Sequence, residues 1–263
     1  MTPPRVLVIA GSDSGGGAGI QADIKTGFAL GVHVSTAITA ITAQNSVGVH
    51  GVWVLSPDAV RGQIRAVLDD IGADVIKTGM LANAEIADLV AEEIERSGLP
   101  AVIDPVCVST TGAALLTDDA LEVYRRRLIP LATVVTPNLP EVLSLTGVEV
   151  SKVDALQQAA EAMLAFGPRW VLVKGGHLDV TATDLLASAA ESLELSGERI
   201  DTVNTHGTGC TLASAIAARL ANGDDVPTAA RAAKAFVAEG IRGSYALGRG
   251  VGPVSQWTST TTT

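Results

Sequence analysis

Short apolar runs alternate along this chain with longer segments whose apolar positions recur at helical spacing. Arg5–Ala10 is an apolar run of strand length, and Val32–Ala43 and Val49–Leu55 are rich in the β-branched residues that suit a pleated surface. Asp74–Thr78, Ala101–Val106, Thr133–Thr136 and Trp170–Lys174 repeat the pattern. Between them the spacing predicts helices over Ala18–Leu30, Asp58–Ile71 (entered through Pro57), Asn83–Ser97 (capped by Asn83), Asp118–Arg127, Leu139–Thr146 and Lys152–Phe166. Asp184–Ala189 and Ser192–Leu195 read as a hairpin. Thr208–Ala221 and Pro227–Ala246 read as two closing helices, with Trp257 and the threonine-rich tail frayed. Strands that alternate with helices imply an α/β fold, a mostly parallel sheet with helices on both faces. No linker or repeat divides residues 1–263, so a single domain is expected.

In open sheets of this kind ligands bind beyond the carboxyl ends of the strands. Seven polar motifs fall at such ends: Gly11–Gly19, Gln44–Asn45, Lys77–Gly79, Asp104, Pro137–Glu141, Lys174–His177 and Thr205–Cys210. Their number on one rim makes a site a stronger reading than any one motif does.

Composition narrows the partners. The chain is 47% apolar and 17% charged, so a sizeable core is available, and with only 3% aromatics it must be built of Ala, Val, Leu and Ile. A net charge of −10 argues against nucleic acid and anionic membranes. Thr26–Pro57 carries no formal charge, but Gly31, His33, Gln44, Asn45, Gly48 and His50 interrupt it, which fits buried strands and turns better than a membrane span. Cys107 and Cys210 alone make no disulfide framework, and Met1–Ala10 shows no signal-peptide pattern, so a cytoplasmic protein is expected.

Thr205-His-Gly-Thr-Gly-Cys-Thr211 leads into a helix without acidic residues. Glycines let backbone N–H groups converge, and a helix N-terminus adds partial positive charge, a combination suited to a phosphoryl group. Cys210 can face the same point, or be a small buried residue. Gly11–Gly19 lacks the third glycine and the later acid of a dinucleotide fingerprint, and it lacks the Gly-Lys-Ser/Thr of a P-loop. Asp13 stands at the centre of G-x-D-x-G, the form of a nucleophile elbow with aspartate for serine, but no positioned histidine partner is evident. Close backbone approach to a small ligand is the better reading. The Gln44 amide donates and accepts at once, which suits a flat heterocycle or a turn cap. Asp104 and Glu141 suit Mg²⁺, which needs few protein carboxylates; a helix-cap role is the plainer account of Glu141. Lys174, at a strand end beside glycines, can reach a phosphate as a point charge. His206 and Cys210 lack the further ligands that zinc requires. Cys107 reads as core.

Taken together, Ala10–Thr26 (AGSDSGGGAGIQADIKT), TAQN (42–45), KTGML (77–81), DPVCVSTTG (104–112), TPNLPE (136–141), VKGGH (173–177) and THGTGCTLASAIAA (205–218) resemble the hydroxymethylpyrimidine/phosphomethylpyrimidine kinases of thiamin biosynthesis, a branch of the ribokinase-like superfamily. The resemblance runs from Val6 to about Arg242. It implies a ribokinase-like three-layer sandwich and a cytoplasmic homodimer. It also implies ATP- and Mg²⁺-dependent phosphorylation of 4-amino-5-hydroxymethyl-2-methylpyrimidine and then of its monophosphate. On this resemblance Gln44 binds the pyrimidine edge and Gly11, Asp13, Ala18 and Met80 shape its pocket. Lys174 and Thr208 serve the ATP phosphates, Asp104 and Glu141 the magnesium shell. Gly207, Gly209 and Cys210 carry the chemistry, with the helix start expected to lower the Cys210 thiol pKa towards neutrality. Cys107 stands where relatives often have methionine, a departure expected to affect pocket packing. A pyridoxal/pyridoxine kinase of the same fold is the enzyme alternative, with cysteine rather than aspartate at 210 weighing against it. A catalytically silent sensor is the alternative of a different class, with the retained Lys174, Asp104, Glu141 and Cys210 weighing against it.

Overall fold

Val6, Val8 and Ala10 turn to one side of the first strand, and Leu7 and Ile9 turn to the other. That period of two gives the sheet two apolar faces, and each is covered by helices. In a computed structural model, which describes residues 2–107, 117–150, 155–176 and 182–257, the strands are β1 (Arg5–Asp13), β2 (His33–Asn45), β3 (Gly48–Val54), β4 (Val75–Thr78), β5 (Ala101–Ile103), β6 (Val134–Val135), β7 (Val171–Val173), β8 (Asp184–Ala187) and β9 (Ser192–Leu195). They form one sheet in the order β3-β2-β1-β4-β5-β6-β7-β8-β9. The run from β2 to β7 is parallel, while β3 at one edge and β8 and β9 at the other are antiparallel.

The helices are α1 (Gly19–Ala29), α2 (Pro57–Ala66), α3 (Ala84–Ser97), α4 (Asp118–Val123), α5 (Leu139–Thr146), α6 (Leu156–Leu164), α7 (Thr208–Ala221) and α8 (Val226–Arg242). Ile20 of α1, Leu212, Ala213 and Ile216 of α7 and Ala229, Ala230 and Ala233 of α8 pack on the Val6/Val8/Ala10 face. Val60 and Ile64 of α2, Ile86 and Val90 of α3 and Met163 of α6 pack on the Leu7/Ile9 face. The many alanines let α7 lie close to the sheet with few large side chains. The expected three layers are present.

Local signals explain the boundaries. Ser56 and Asn83 accept from the N–H groups of Ala59 and Ile86, capping α2 and α3. Gly98 and Gly147, both left-handed, end α3 and α5. Several expected spans change. β2 runs on through Gln44 and Asn45, which pair with Val49 and Gly48, so these two residues are the last rungs of a strand rather than a turn beyond it. The segment 58–71 is α2 followed by a widened turn over Val67–Ile71, closed by the Gly72 N–H on the Val67 carbonyl, and 118–127 likewise widens over Tyr124–Leu128. The last helix stops at Arg242, because the following chain turns back: Ser255 N–H donates to the Gly240 carbonyl. Val254 to Gln256 are buried and Trp257 stacks on Tyr245 with ring centroids 6.1 Å apart, so the chain as far as Trp257 is tied down rather than frayed. The loop Ser109–Gly112, residues 152–154 of the Lys152 helix, His177 and the tail from Thr258 lie outside the described residues. No helix among the described residues is long and apolar enough to cross a membrane.

After β1 the chain crosses to β2 through α1 on one face, and after β4 it crosses to β5 through α3 on the other. The connections diverge between β1 and β4, and a crevice opens at their carboxyl ends.

Candidate active site

Around that crevice lies an open cleft of about 2010 Å³. Gly11, Asp13, Ala18, Gln44, Met80, Asp104, Glu141, Lys174, Gly207, Thr208, Gly209 and Cys210 all line it. Every one of the seven rim motifs therefore contributes to one cavity, although their members come from both halves of the chain.

The floor is made where two backbones touch. Gly207 caps α7 at φ +84°, and a Cβ there would strike the Gly17 carbonyl oxygen. Gly19, at φ +56°, has the Gly11 carbonyl oxygen 2.5 Å from where its Cβ would be. By position, the Gly209 and Cys210 N–H groups precede the first residue that can bond back into α7, which is Thr211, donating to the Gly207 carbonyl. Thr208 Oγ1 donates to the Thr205 carbonyl at 2.7 Å. A Cβ at Gly209 would sit 3.4 Å from the Lys174 ammonium and 3.8 Å from Asp104 Oδ2, so this first turn of α7 faces the Lys174–Asp104 pair directly.

Asp104 follows β5, Lys174 follows β7, and Glu141 lies in the first turn of α5. Lys174 Nζ is 3.0 Å from Asp104 Oδ1 and 3.8 Å from Glu141 Oε2. Thr136 Oγ1 donates to Asp104 Oδ1 at 3.1 Å. Burial opposes the Lys174 charge, but Asp104 and Glu141 outweigh it and hold its pKa above the usual value. Glu141 goes the other way: burial raises it, Lys174 opposes, and the Asp104 charge adds to the rise, to about 7. Glu141 also completes the capping box of α5, its Oε2 accepting from the Asn138 N–H at 2.7 Å. The plain cap role and the cleft position thus coexist in one side chain.

Cys210 is half-buried and lines the cleft beside the early glycine loop. Its ionisation departs from expectation. Burial raises the thiol, Lys77 partly offsets this, Asp23 and Asp104 reinforce it, and the result is a pKa of about 11. Removal from water and two carboxylates push this thiol away from a thiolate near neutral pH, opposite to the direction expected of the helix start. Cys107 is in the core against the Leu7/Ile9 face and not on the cleft, so its departure from methionine bears on core packing rather than on the pocket; burial pushes its thiol up as well.

Two pairings were not anticipated from sequence. Asp13 does have a histidine partner: His206 Nε2 lies 3.0 Å from Asp13 Oδ2, across 193 residues of chain. The same carboxylate accepts from the N–H groups of Gly15, Gly17 and Ala18 at 2.8, 3.0 and 2.8 Å, folding the glycine loop around itself. Burial would raise Asp13, but the bonds from His206, Ala18 and Gly15 prevail and hold its carboxyl below the usual value. Beneath Cys210, Lys77 is fully buried with Nζ 2.9 Å from Asp23 Oδ1, which also accepts from Ser214 Oγ at 2.6 Å. Ser214 lies one turn after Cys210 on α7.

No group of three or more His, Cys, Asp or Glu side chains among the described residues forms a metal site. Asp104 and Glu141 nevertheless suit Mg²⁺, which takes one or two carboxylates and completes its shell with water and phosphate oxygens.

Comparison with known proteins places the chain among vitamin kinases. The pattern of the phosphomethylpyrimidine kinase family matches residues 13–255. A hydroxymethylpyrimidine/phosphomethylpyrimidine kinase of Streptomyces coelicolor is 57% identical over 254 residues, 97% of this chain and 94% of that protein. Among solved structures, pyridoxal kinase from Staphylococcus aureus in complex with AMP-PCP and pyridoxal superimposes with a TM-score of 0.91 at 35% identity, covering 100% of this chain and 96% of that one. Phosphomethylpyrimidine kinase from Clostridium difficile gives a TM-score of 0.81 at 40% identity, covering 90% and 99%. The fold is ribokinase-like.

Proposed function

The chain belongs to the phosphomethylpyrimidine kinase family, and we propose that it transfers the γ-phosphoryl group of ATP to the hydroxymethyl oxygen of 4-amino-5-hydroxymethyl-2-methylpyrimidine, and then a second phosphoryl group to the monophosphate, in thiamin biosynthesis. The observation that carries this reading is the convergence, in one cleft, of the α7 start, the Lys174–Asp104–Glu141 cluster and Gln44. ADP release measured separately with the pyrimidine alcohol and with its monophosphate tests it; turnover of neither would overturn it.

Phosphoryl transfer requires alignment and charge neutralisation more than covalent chemistry. The Gly209 and Cys210 N–H groups receive charge that develops on the transferring group. Lys174 binds the triphosphate, and the Thr208 hydroxyl joins it by turning its proton from the Thr205 carbonyl to a phosphate oxygen. Asp104 and Glu141 would hold Mg²⁺, which supplies further neutralisation of phosphate charge when bound. Cys210 orients the acceptor hydroxyl and takes its proton late, as the oxygen–phosphorus bond forms and ADP leaves. Gly11, Ala18 and Met80 shape the pocket, and Asp13 shapes it indirectly by folding the glycine loop. The homodimer implied by the resemblance remains a proposal, supported by the apolar side chains of Val49, Val52 and Trp53 that β3 leaves exposed.

Gln44 reads the pyrimidine edge. Gln44→Leu is expected to raise KM for the pyrimidine at least tenfold, with a far smaller change in KM for ATP. An equal rise in both would point to a damaged fold instead. The second reading, pyridoxal or pyridoxine phosphorylation, is favoured by the Staphylococcus aureus likeness. Turnover on the pyrimidine and on pyridoxine, compared at equal concentration, separates the two.

A further inference from the structure

The backbone of Gln44 is pinned to the glycine loop: its N–H donates to Ser14 Oγ at 2.8 Å, and Ser14 Oγ donates to its carbonyl at 2.7 Å. What remains free is the side-chain amide, whose two ends carry opposite hydrogen-bonding character. As placed, its Oε1 lies 3.3 Å from Thr42 Oγ1 and its Nε2 lies 3.4 Å from His206 Nε2. Proton counting decides which end is which. Thr42 has one hydroxyl proton, and it is committed to the Ser12 carbonyl at 2.8 Å, so towards Gln44 this oxygen can only accept. His206 Nε2 faces the Asp13 carboxylate, an acceptor, at 3.0 Å, so its one proton points to Asp13, it has no lone pair to accept with, and towards Gln44 it tolerates only an acceptor that shares that proton. Proton counting therefore turns the amide end for end from its placed orientation, with the nitrogen on Thr42 and the oxygen on His206. The reverse arrangement would set two donors against each other at His206.

The histidine is itself held. Its backbone N–H donates to the Gly252 carbonyl at 3.1 Å and its carbonyl accepts from Val254 at 3.0 Å. Its ring packs on Gly17 so closely that a Cβ there would collide with Cδ2.

We propose that the Asp13–His206 pair is a polarity lock on Gln44, fixing which end of its amide the cleft offers to the heterocycle, and so selecting a 4-aminopyrimidine over its 4-oxo counterpart. The inference rests on the reading of Gln44 given above. With both outer anchors made, the amide keeps one N–H and one oxygen lone pair for the ligand. An aminopyrimidine edge offers a ring-nitrogen acceptor beside an amino donor. A pyrimidin-4-one offers the inverted pair, a ring N–H donor beside a carbonyl acceptor. An amide free to turn over would serve both. A locked amide serves one, because the inverted ligand would leave buried polar groups facing like groups, and unpaired groups of that kind dominate discrimination. His206 is thus a positioning residue that sets specificity through Gln44.

The test is the ratio of kcat/KM for 5-hydroxymethyl-2-methylpyrimidine bearing 4-amino over 4-oxo, measured in the wild-type protein and in His206→Phe, His206→Gln, Thr42→Val and Gln44→Leu. His206→Phe removes the donor, and the preference is expected to fall at least tenfold, partly through gained turnover of the 4-oxo compound. His206→Gln still offers an N–H to Asp13 and Gln44 and is expected to keep the preference within a few-fold. Thr42→Val removes the other anchor and is expected to weaken the preference in the same direction, which keeps the test alive should the phenylalanine variant misfold. A His206→Phe protein with the wild-type ratio overturns the lock. If Gln44→Leu loses the preference while His206→Phe keeps it, the lock alone is wrong. If Gln44→Leu itself keeps it, the recognition role of Gln44 falls, and the lock with it.

Discussion

Cys210→Ala is expected to lower turnover of the pyrimidine alcohol by roughly 10²-fold or more, the usual size of acid–base assistance. The thiol lines the cleft at the first turn of α7, next to the N–H groups proposed to receive the phosphoryl group. Its pKa of about 11 makes the thiolate scarce at neutral pH but a better proton acceptor once formed. The sign of the pH dependence follows. Below a pKa of 11 the thiolate fraction grows with pH, so kcat/KM for the wild-type protein should climb from neutral pH towards pH 10. In the alanine variant that climb should be absent. Wild-type turnover in Cys210→Ala would remove the sulfur from the mechanism, and a flat wild-type profile would restrict it to orienting the hydroxyl.

The largest effect on stability is expected at Lys77. Both Lys77 and Asp23 are fully buried, and Asp23 Oδ2 has no hydrogen-bond partner, so the carboxylate leans on Lys77 and Ser214 through a single oxygen. Burial raises the Asp23 pKa while Lys77 and Ser214 oppose the rise. Lys77→Met strands that charge, and loss of one partner of a buried pair costs about 3–5 kcal/mol. At about 2–4 °C per kcal/mol for a chain of this size, Tm should fall by at least about 6 °C. Adding Asp23→Leu removes the stranded charge, and the double variant should recover most of the loss, because an apolar pair can replace a buried ion pair at little cost. Chemical denaturation of the two variants checks this. A double variant no more stable than Lys77→Met would mean that the methionine fails for reasons of packing.

These two sites also show where the sequence is informative. The unbroken apolar run from Val6 to Ala10 is a local pattern, and it reads as a strand, which β1 is. The start of α7 was equally legible, because a glycine at the cap and an alanine-rich run behind it are local signals. The cleft could be anticipated because parallel strands place their carboxyl ends on one rim, so motifs far apart in sequence share an address. What stayed hidden depends on which distant group meets which. Asp13 and His206 are 193 residues apart and Lys77 and Asp23 are 54 apart, and nothing in either neighbourhood marks the pairing. The thiol of Cys210 misled for the same reason. The helix start that should acidify it is local, whereas the burial and the carboxylates that prevail come from α1 and from the loop after β5. Gln44 and Asn45 were expected at the end of the strand Val32–Ala43, and the pairing with β3 carries the strand through both.

The contact between Gly207 and the Gly17 carbonyl has a mechanical meaning. Side chains can swap rotamers, and walls built from them yield to a guest. Here the helix start proposed to meet the donor's phosphate and the loop proposed to cradle the acceptor abut main chain to main chain at Gly207 and Gly17. The gap the phosphoryl group must cross is therefore ruled by atomic radii, so the enzyme meets its two successive acceptors with a fixed gauge, and the longer one has to adapt to the protein.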